Sequence, residues 1–366
     1  MIIVDIYPPY VKTAYGIGFS GEVYLDKLPE GKKAIGTHNG AFHSDETLAV
    51  SLLRSLPEYR DHIIVRTRDM DILSKCDIVV DVGAEYVPEK LEYEKKHFDH
   101  HQKSFNETFD SAHKTKLSSA GLVYKHFGKE IIQQLSSHPL TEHELDIVYQ
   151  KMYDNFVEEV DGVDNGIDPC SGVSNYTVST SLSKRVKRLA ISWNEDYSVE
   201  LELERFRLAM GMMLGEFAER LHGQVDVLLP AREIVEKAMK DAENVYPSKE
   251  IVVIERECPF LDHIVEVEKE QGIEGRTKFV VVPGKDGAWR IRAINQEPGS
   301  FALRQKLLPN YCGLRDEELS NACGIPECIF VHISGFLGIN KTREGALQMA
   351  IQSLSGSIVS YKQDIC

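Results

Sequence analysis

His38, His43 and Asp45 crowd into one stretch, His38-Asn39-Gly40-Ala41-Phe42-His43-Ser44-Asp45-Glu46, and Asp81, the run Asp99-His100-His101 and Asp161 follow along the chain. Carboxylates mixed with imidazoles suit hard to borderline divalent cations. Any one of these residues alone reads as an ordinary core or surface group, whereas the joint pattern reads as a metal centre. Asp45, Asp81 and Asp161 bring three negative charges against four positive from two divalent ions, which leaves a site near +1 that attracts a phosphate. Ions roughly 3.5 to 4 Å apart clamp phosphate oxygens and lower the pKa of a bridging water. The chemistry expected is in-line hydrolysis of a phosphoester or phosphoanhydride.

The spacing also suggests roles. Asp81 follows the apolar run Ile78-Val79-Val80, so it emerges at a strand end and can give one oxygen to each ion. Neighbours on an extended chain point to opposite sides, so one of His100 and His101 binds metal while the other meets the substrate phosphate. Asp99 orients an imidazole from behind. Asp161 and Asp164 both approach a helix end, and Asp161 is favoured as the ligand; His97, Glu158 and Glu159 read as structural or solvated.

The elements that must position these groups are legible from periodicity. Residues 34–37, 63–65 and 78–80 read as short buried strands, and 47–56 as a helix with Leu48, Leu52, Leu53 and Leu56 on one face. A second helix over 118–135 aligns Val123, Phe127 and Ile131; a third aligns Leu145, Val148, Met152, Phe156 and Val160, with Gly162 ending it and Asp161 at its tip. Strands alternating with helices predict an α/β fold with a doubly wound parallel sheet, whose carboxyl-end crevice gathers ligands. A long helical stretch follows, with Phe206, Met210, Met213, Phe217 and Leu221 on one face. Strands then return at 251–254, in a hairpin of 279–282 and 289–294, and at 329–333, before a closing helix from Thr342. The expected organisation is an amino-terminal extension (1–33), a metal-binding catalytic domain (34–194), a helical connector (195–244) and a second, smaller α/β domain for substrate (245–366).

A formal net charge of -15 excludes a protein that holds nucleic acid by a broad basic coat, so any such ligand must be gripped locally. The 7 cysteines are scattered without a Cys-x-x-Cys pair, which predicts free thiols in a reducing compartment. No apolar run approaches the ~18 residues of a membrane span. The amino terminus, acidic and without arginine through residue 30, does not read as a transit peptide. The cluster Lys184-Arg185-Val186-Lys187-Arg188 reads first as a solvated loop, with a nuclear-localisation patch or an RNA contact as the other readings.

The motifs resemble those of the Asp-His-His (DHH) phosphoesterase superfamily, and within it the eukaryotic melanocyte-proliferating-gene family of metal-dependent exonucleases. The likeness covers nearly the whole chain. It rests on Gly36-Thr37-His38-Asn39-Gly40, His43-Ser44-Asp45-Glu46, Asp77-Ile78-Val79-Val80-Asp81-Val82-Gly83, Asp99-His100-His101-Gln102, Thr115-Lys116-Leu117-Ser118-Ser119-Ala120-Gly121 and Asn155-Phe156-Val157-Glu158-Glu159-Val160-Asp161. The resemblance implies that His38, His43 and Asp81 hold one ion and that Asp45, Asp81, His100 and Asp161 hold the other, with His101 facing the substrate. It further implies manganese as the metal, 3′ to 5′ exonuclease action on RNA, and nuclear or mitochondrial residence beside the cytoplasm. The superfamily's usual first motif is His-x-x-x-Asp-x-Asp; here one residue is added and His43 stands where the first aspartate would fall.

For the second domain, Arg290 and Arg292 share one side of a strand, and Gly335-Phe336-Leu337-Gly338 is expected to lead from a strand into the last helix, whose start can receive a phosphate beside Lys341 and Arg343. His332-Ile333-Ser334-Gly335 loosely resembles the superfamily's glycine-rich loop for nucleotide ends. Together with the resemblance, these groups make RNA or a short oligonucleotide the expected substrate. A hydrolase for pyrophosphate or dinucleotides and a non-catalytic metal- or nucleotide-binding regulator are the competing readings.

Overall fold

Buried β-branched runs frame the first sheet. The computed structural model describes residues 9–87, 97–172, 175–297 and 300–356, and the chain divides into two units, Met1–Asp226 and Val227–Cys366. The first contains α1 (Pro9–Phe19), β1 (Val23–Leu25), β2 (Ala34–Thr37), α2 (Ser44–Ser55), β3 (Ile63–Arg66), α3 (Met70–Leu73), β4 (Ile78–Val80), β5 (His97–Phe98), α4 (Ser119–Leu135), α5 (Glu142–Met152), α6 (Glu158–Asp164), α7 (Leu182–Lys187) and α8 (Val199–His222). Its five strands are all parallel, in the order β1-β3-β2-β4-β5, and helices flank the sheet as the alternating pattern predicts. From β2 the chain moves to β3 on one side and then returns to β4 on the other. The carboxyl ends of β2 and β4 therefore diverge at the switch point where such sheets bind ligands.

Close packing fixes those two strands. A Cβ on Gly36 of β2 would lie 2.9 Å from Leu73 and 3.1 Å from Cys76, so α3 and the turn after it press directly on the strand. Val123, Phe127 and Ile131 of α4 are buried, as are Phe206, Met210, Met213, Phe217 and Leu221 of α8. The stretch 195–244 is shared between the units, with α8 in the first beside α1 and α2. A Cβ on Gly215 would sit 2.2 Å from the Tyr15 ring, so α1 and α8 can approach as they do only with glycine there.

One expectation about the helix after residue 141 needs correction. Between α5 and α6 the backbone makes a π turn, Tyr153–Val157, and α6 runs through Gly162 to Asp164. The inserted residue of a π turn rotates everything after it around the helix axis. Asp161 is consequently fully buried within α6, and Asp164 occupies its end.

The second unit contains α9 (Leu229–Lys240), α10 (Ala242–Val245), β6 (Ile251–Val253), α11 (Leu261–Gln271), β7 (Phe279–Pro283), β8 (Trp289–Ala293), α12 (Asp316–Cys323), β9 (Cys328–Val331), β10 (Leu337–Asn340) and α13 (Arg343–Ser355). Its sheet, ordered β6-β7-β8-β10-β9, pairs β6 and β7 in parallel and the rest antiparallel. The Gly335 segment does not lead into a helix. It turns between β9 and β10, and α13 starts only after β10, its first turn capped by Thr342 accepting from Gly345 N. Among the described residues no helix is long and apolar enough to cross a membrane, and six cysteines take part in no disulfide; Cys366 lies outside the described residues.

Candidate metal centre

The loop after β2, the turns after β4 and β5, and the ends of α2 and α6 bring their polar side chains together. Among the described residues three groups of side-chain atoms could hold a metal ion, each with all its atoms within 4.8 Å of one another: His38, His43, Glu46 and Asp81; Asp81, Asp99, His100 and His101; and Asp45, His100 and Asp164. Asp81 belongs to the first two groups and His100 to the last two. They lie at one cavity of about 880 Å³, whose wall includes His38, His43, Asp81, His100, His101 and Asp164, and whose cationic groups are Arg68, Lys103 and Lys116.

Asp81 is the hinge of the arrangement. It adopts φ 56°, a left-handed conformation costly for a residue with a side chain, while its N–H donates to Phe98 O at 3.2 Å. Its Oδ2 lies 3.4 Å from His38 Nε2, and its Oδ1 lies 3.6 Å from both His100 Nε2 and His101 Nδ1. Burial would raise this carboxyl, but His100 and His38 beside it hold it well below the usual carboxylate range. Burial opposes the charged form of His38, yet contacts with Asp81 and Glu46 push that ring up to about 10.

His100 is where the residues most clearly fit a cation. Both of its ring nitrogens are buried without a hydrogen-bond partner, although Nε2 lies 3.1 Å from Asp164 Oδ2. Burial disfavours a charged His100, but the Asp164 and Asp81 carboxylates beside it push it up to about 10. Asp45 is fully buried; desolvation first, then Asp81 and Asp164, raise its carboxyl well above the normal range. Carboxylates packed this closely demand positive charge among them.

The start of α4 holds the carboxylates in place. Asp45 accepts from the Ser118 hydroxyl at 2.6 Å, Ala120 N at 2.5 Å and Ser119 N at 3.2 Å, using N–H groups that the helix leaves free. Ser119 Oγ reaches Asp81 at 3.3 Å. Asp161, expected as a ligand, is turned elsewhere: its oxygens accept from Ser118 N and the Tyr153 hydroxyl at 2.9 Å each, and Oδ1 lies 2.7 Å from Ser118 Oγ. A Cβ at position 121 would sit 2.3 Å from this carboxylate, so only Gly121 lets α4 and α6 meet here. Asp164 supplies the oxygen near His100 instead.

His43 lies at the mouth of α2, exposed, its ring centroid 5.5 Å from that of His38. Its N–H is held by both oxygens of Glu46 at 2.9 Å, and Glu46 Oε1 is 3.3 Å from His38 Nε2. Asp99, almost fully buried, accepts from Ala84 N at 2.5 Å and fixes the exposed His101 through a 2.6 Å contact to Nδ1.

Sequence reasoning missed Glu46 and the cations Arg68, Lys103 and Lys116, and set Asp164 behind Asp161. Glu46 carried a signal, since an acid three residues after the first residue of a helix end caps it and faces back. Lys116 sits inside a motif already noted.

In the second unit, Arg290 and Arg292 share a face, but Arg290 makes a two-pronged pair with Asp286 at 3.0 and 2.9 Å. Arg343 likewise pairs with Glu255 at 2.9 Å. Lys341 is exposed, His332 Nδ1 lies 2.8 Å from Ser334 Oγ, and Gly335 turns with φ 71°.

Residues 34–354 match the MYG1_exonuc family model, described as uncharacterised protein family UPF0160. The chain belongs to this family. It is 47% identical over 328 residues to the MYG1 exonuclease of Bos taurus, covering 88% of this chain and 84% of the relative. To the MYG1 exonuclease of Homo sapiens it is 47% identical over 329 residues, covering 88% and 85%, and to the MYG1 protein of Dictyostelium discoideum 44% over 327, covering 88% and 97%.

Proposed function

We propose that the protein is a metal-dependent phosphodiesterase of the DHH superfamily that removes nucleotides from the 3′ end of RNA. The observation that carries this reading is the ligand chain through Asp81 and His100 at a cavity bearing Arg68, Lys103 and Lys116. The relatives named MYG1 exonuclease favour a nucleic acid as the substrate.

Two divalent ions, manganese in our reading, would supply charge to the phosphate and an acidified water. His38, His43, Glu46 and Asp81 are placed to hold one, and Asp45, Asp81, His100 and Asp164 the other. The chain's own residues then divide the work. Arg68, Lys103 and Lys116 draw the scissile phosphate into the cavity. His101, fixed through Nδ1 by Asp99, keeps Nε2 for a phosphate oxygen or the leaving oxygen. Asp161 acts behind Asp45 through Ser118. The second unit carries the strand-gripping groups, among which the paired states of Arg290 and Arg343 weaken their part.

The test is product analysis on 5′-labelled single-stranded RNA with Mn²⁺. A ladder shortening from the 3′ end with release of mononucleotides is expected. Hydrolysis of pyrophosphate or dinucleotides without shortening of RNA would replace this reading with that of a small-phosphate hydrolase, and metal binding without hydrolysis of any of them would leave a regulator.

A further inference from the structure

The strand registers of the second sheet place several residues on one face. Ile339 of β10 lies opposite both Arg290 of β8 and Phe330 of β9, Phe330 lies opposite Arg315, and Leu337 lies opposite Arg292. On the β6 and β7 half the same face is closed: Val280 and Val282, opposite Arg292 and Arg290, pack in an apolar cluster with residues of α9 and α11. Among the described residues Phe330, Phe336, Leu337 and Ile339 lie outside the two buried apolar clusters that include β6, β7 and β8 residues, and they stay half-exposed.

Across this open half runs a continuous ridge. The Arg315 guanidinium carbon stands 4.4 Å from the Phe330 ring centroid; Phe330 is 6.2 Å from His332, edge to face; His332 is 4.6 Å from Phe336; and Arg292 stands 4.3 Å over Phe336. The Gly335 turn brings Phe336 back beside His332. Among the described residues neither Arg292 nor Arg315 has a carboxylate partner, in contrast to Arg290 and Arg343.

We propose that this ridge is a stacking platform for the unpaired bases of a single-stranded nucleic acid, an inference that rests on the nuclease reading and extends it to how the strand is held. A guanidinium lying on a ring keeps its N–H edge free for phosphate oxygens. Aromatic and imidazole faces accept any base, because every base has a π face, so the platform tolerates sequence. A duplex hides those base faces and fits poorly. Two unpaired cations here, in a chain of net charge -15, favour a polyanion over an apolar protein surface.

The experiment uses the full chain with Mn²⁺ and short, labelled phosphorothioate strands that resist cleavage, one normal and one with abasic sites, read by fluorescence anisotropy. The wild-type protein should prefer the normal strand by about tenfold or more. Phe330→Ala with Phe336→Ala should abolish that preference, Phe330→Trp with Phe336→Trp should retain it, and equal melting temperatures would show that both variants fold. Should the alanine variant unfold, the tryptophan variant and Arg315→Ala carry the test: retained preference in the first and weakened binding of the normal strand in the second are expected, and the reverse overturns the platform. Equal wild-type affinity for both strands, or a preference that survives both alanines, also overturns it; RNA still shortened by the wild type would then leave the nuclease reading standing. A wild type that neither binds nor shortens any RNA would remove both. Altered self-association of the variants with unaltered strand preference would make the ridge a protein interface and end the proposal.

Discussion

Asp161 binds Ser118 twice, through the backbone N–H at 2.9 Å and the hydroxyl at 2.7 Å, and the same hydroxyl lies 2.6 Å from Asp45. A side chain so committed ties α6 to the start of α4 and steadies Asp45. Burial pushes its carboxyl up to about 7, which suits a structural acid.

Asp161 and Asp164 should therefore fail differently. Asp164→Asn should lower bound metal with little change in folding, because it removes an oxygen at the cavity. Asp161→Ala should cost stability, since the buried Ser118 N–H and Tyr153 hydroxyl each lose an acceptor at about 1–3 kcal/mol per group. Metal analysis and urea unfolding on both variants separate the roles; the opposite pattern would restore Asp161 as the ligand.

Asp81→Asn should abolish turnover and reduce metal content while the protein still folds, because an amide cannot serve two cations as a carboxylate does. His43→Ala should be milder. An exposed side chain at the mouth of the site would contribute metal affinity more than structure, so high Mn²⁺ should restore part of the activity. Unchanged activity at limiting metal would make His43 only the N-cap of α2.

The sheet and the loops that carry His38, Asp81 and His100 were legible because β-branched runs end in polar residues, as at Val80-Asp81, and because the Leu48 to Leu56 stripe repeats at a helical period. The Asp161 placement was not, since a π turn leaves no mark in apolar spacing, and helix α6 tolerates the glycine that reads as its end. Strand β10 was missed for a related reason. Leu337-Gly338-Ile339-Asn340 is short and contains a glycine, so only its pairing with β8 and β9 reveals it.

His113 supplies a pH dependence away from the candidate metal centre. Nδ1 lies 2.7 Å from Asp110 and Nε2 2.9 Å from Asp154. Burial opposes its charge, but the two carboxylates outweigh burial and raise its pKa above 6.5. A histidine with a raised folded pKa contributes stability that is complete below the unfolded value and lost as pH rises through the folded one. Urea midpoints should therefore fall from about pH 6 to pH 9 more steeply for the wild type than for His113→Gln. Parallel slopes would deny His113 that role.

Arg66 offers the sharpest test of how the metal loop is held. Its guanidinium is fully buried, with Nη1 2.7 Å from Glu202 Oε1, Nη2 2.6 Å from Gly40 O, and the Phe206 ring 4.4 Å away. It thus fastens helix α8 and the bend between His38 and His43 to the end of β3. Arg66→Met should cost about 3–5 kcal/mol, because Glu202 and the Gly40 carbonyl are left without their cation. Changing Glu202 to Met as well should return part of that stability, since removing both charges spares the desolvation of the survivor. The Gly40 carbonyl stays unheld in both variants, so metal affinity should remain reduced even where stability recovers. Unfolding curves and Mn²⁺ titrations on the single and double variants decide it: recovery of metal affinity along with stability would mean that Arg66 supports the fold and does not position the loop.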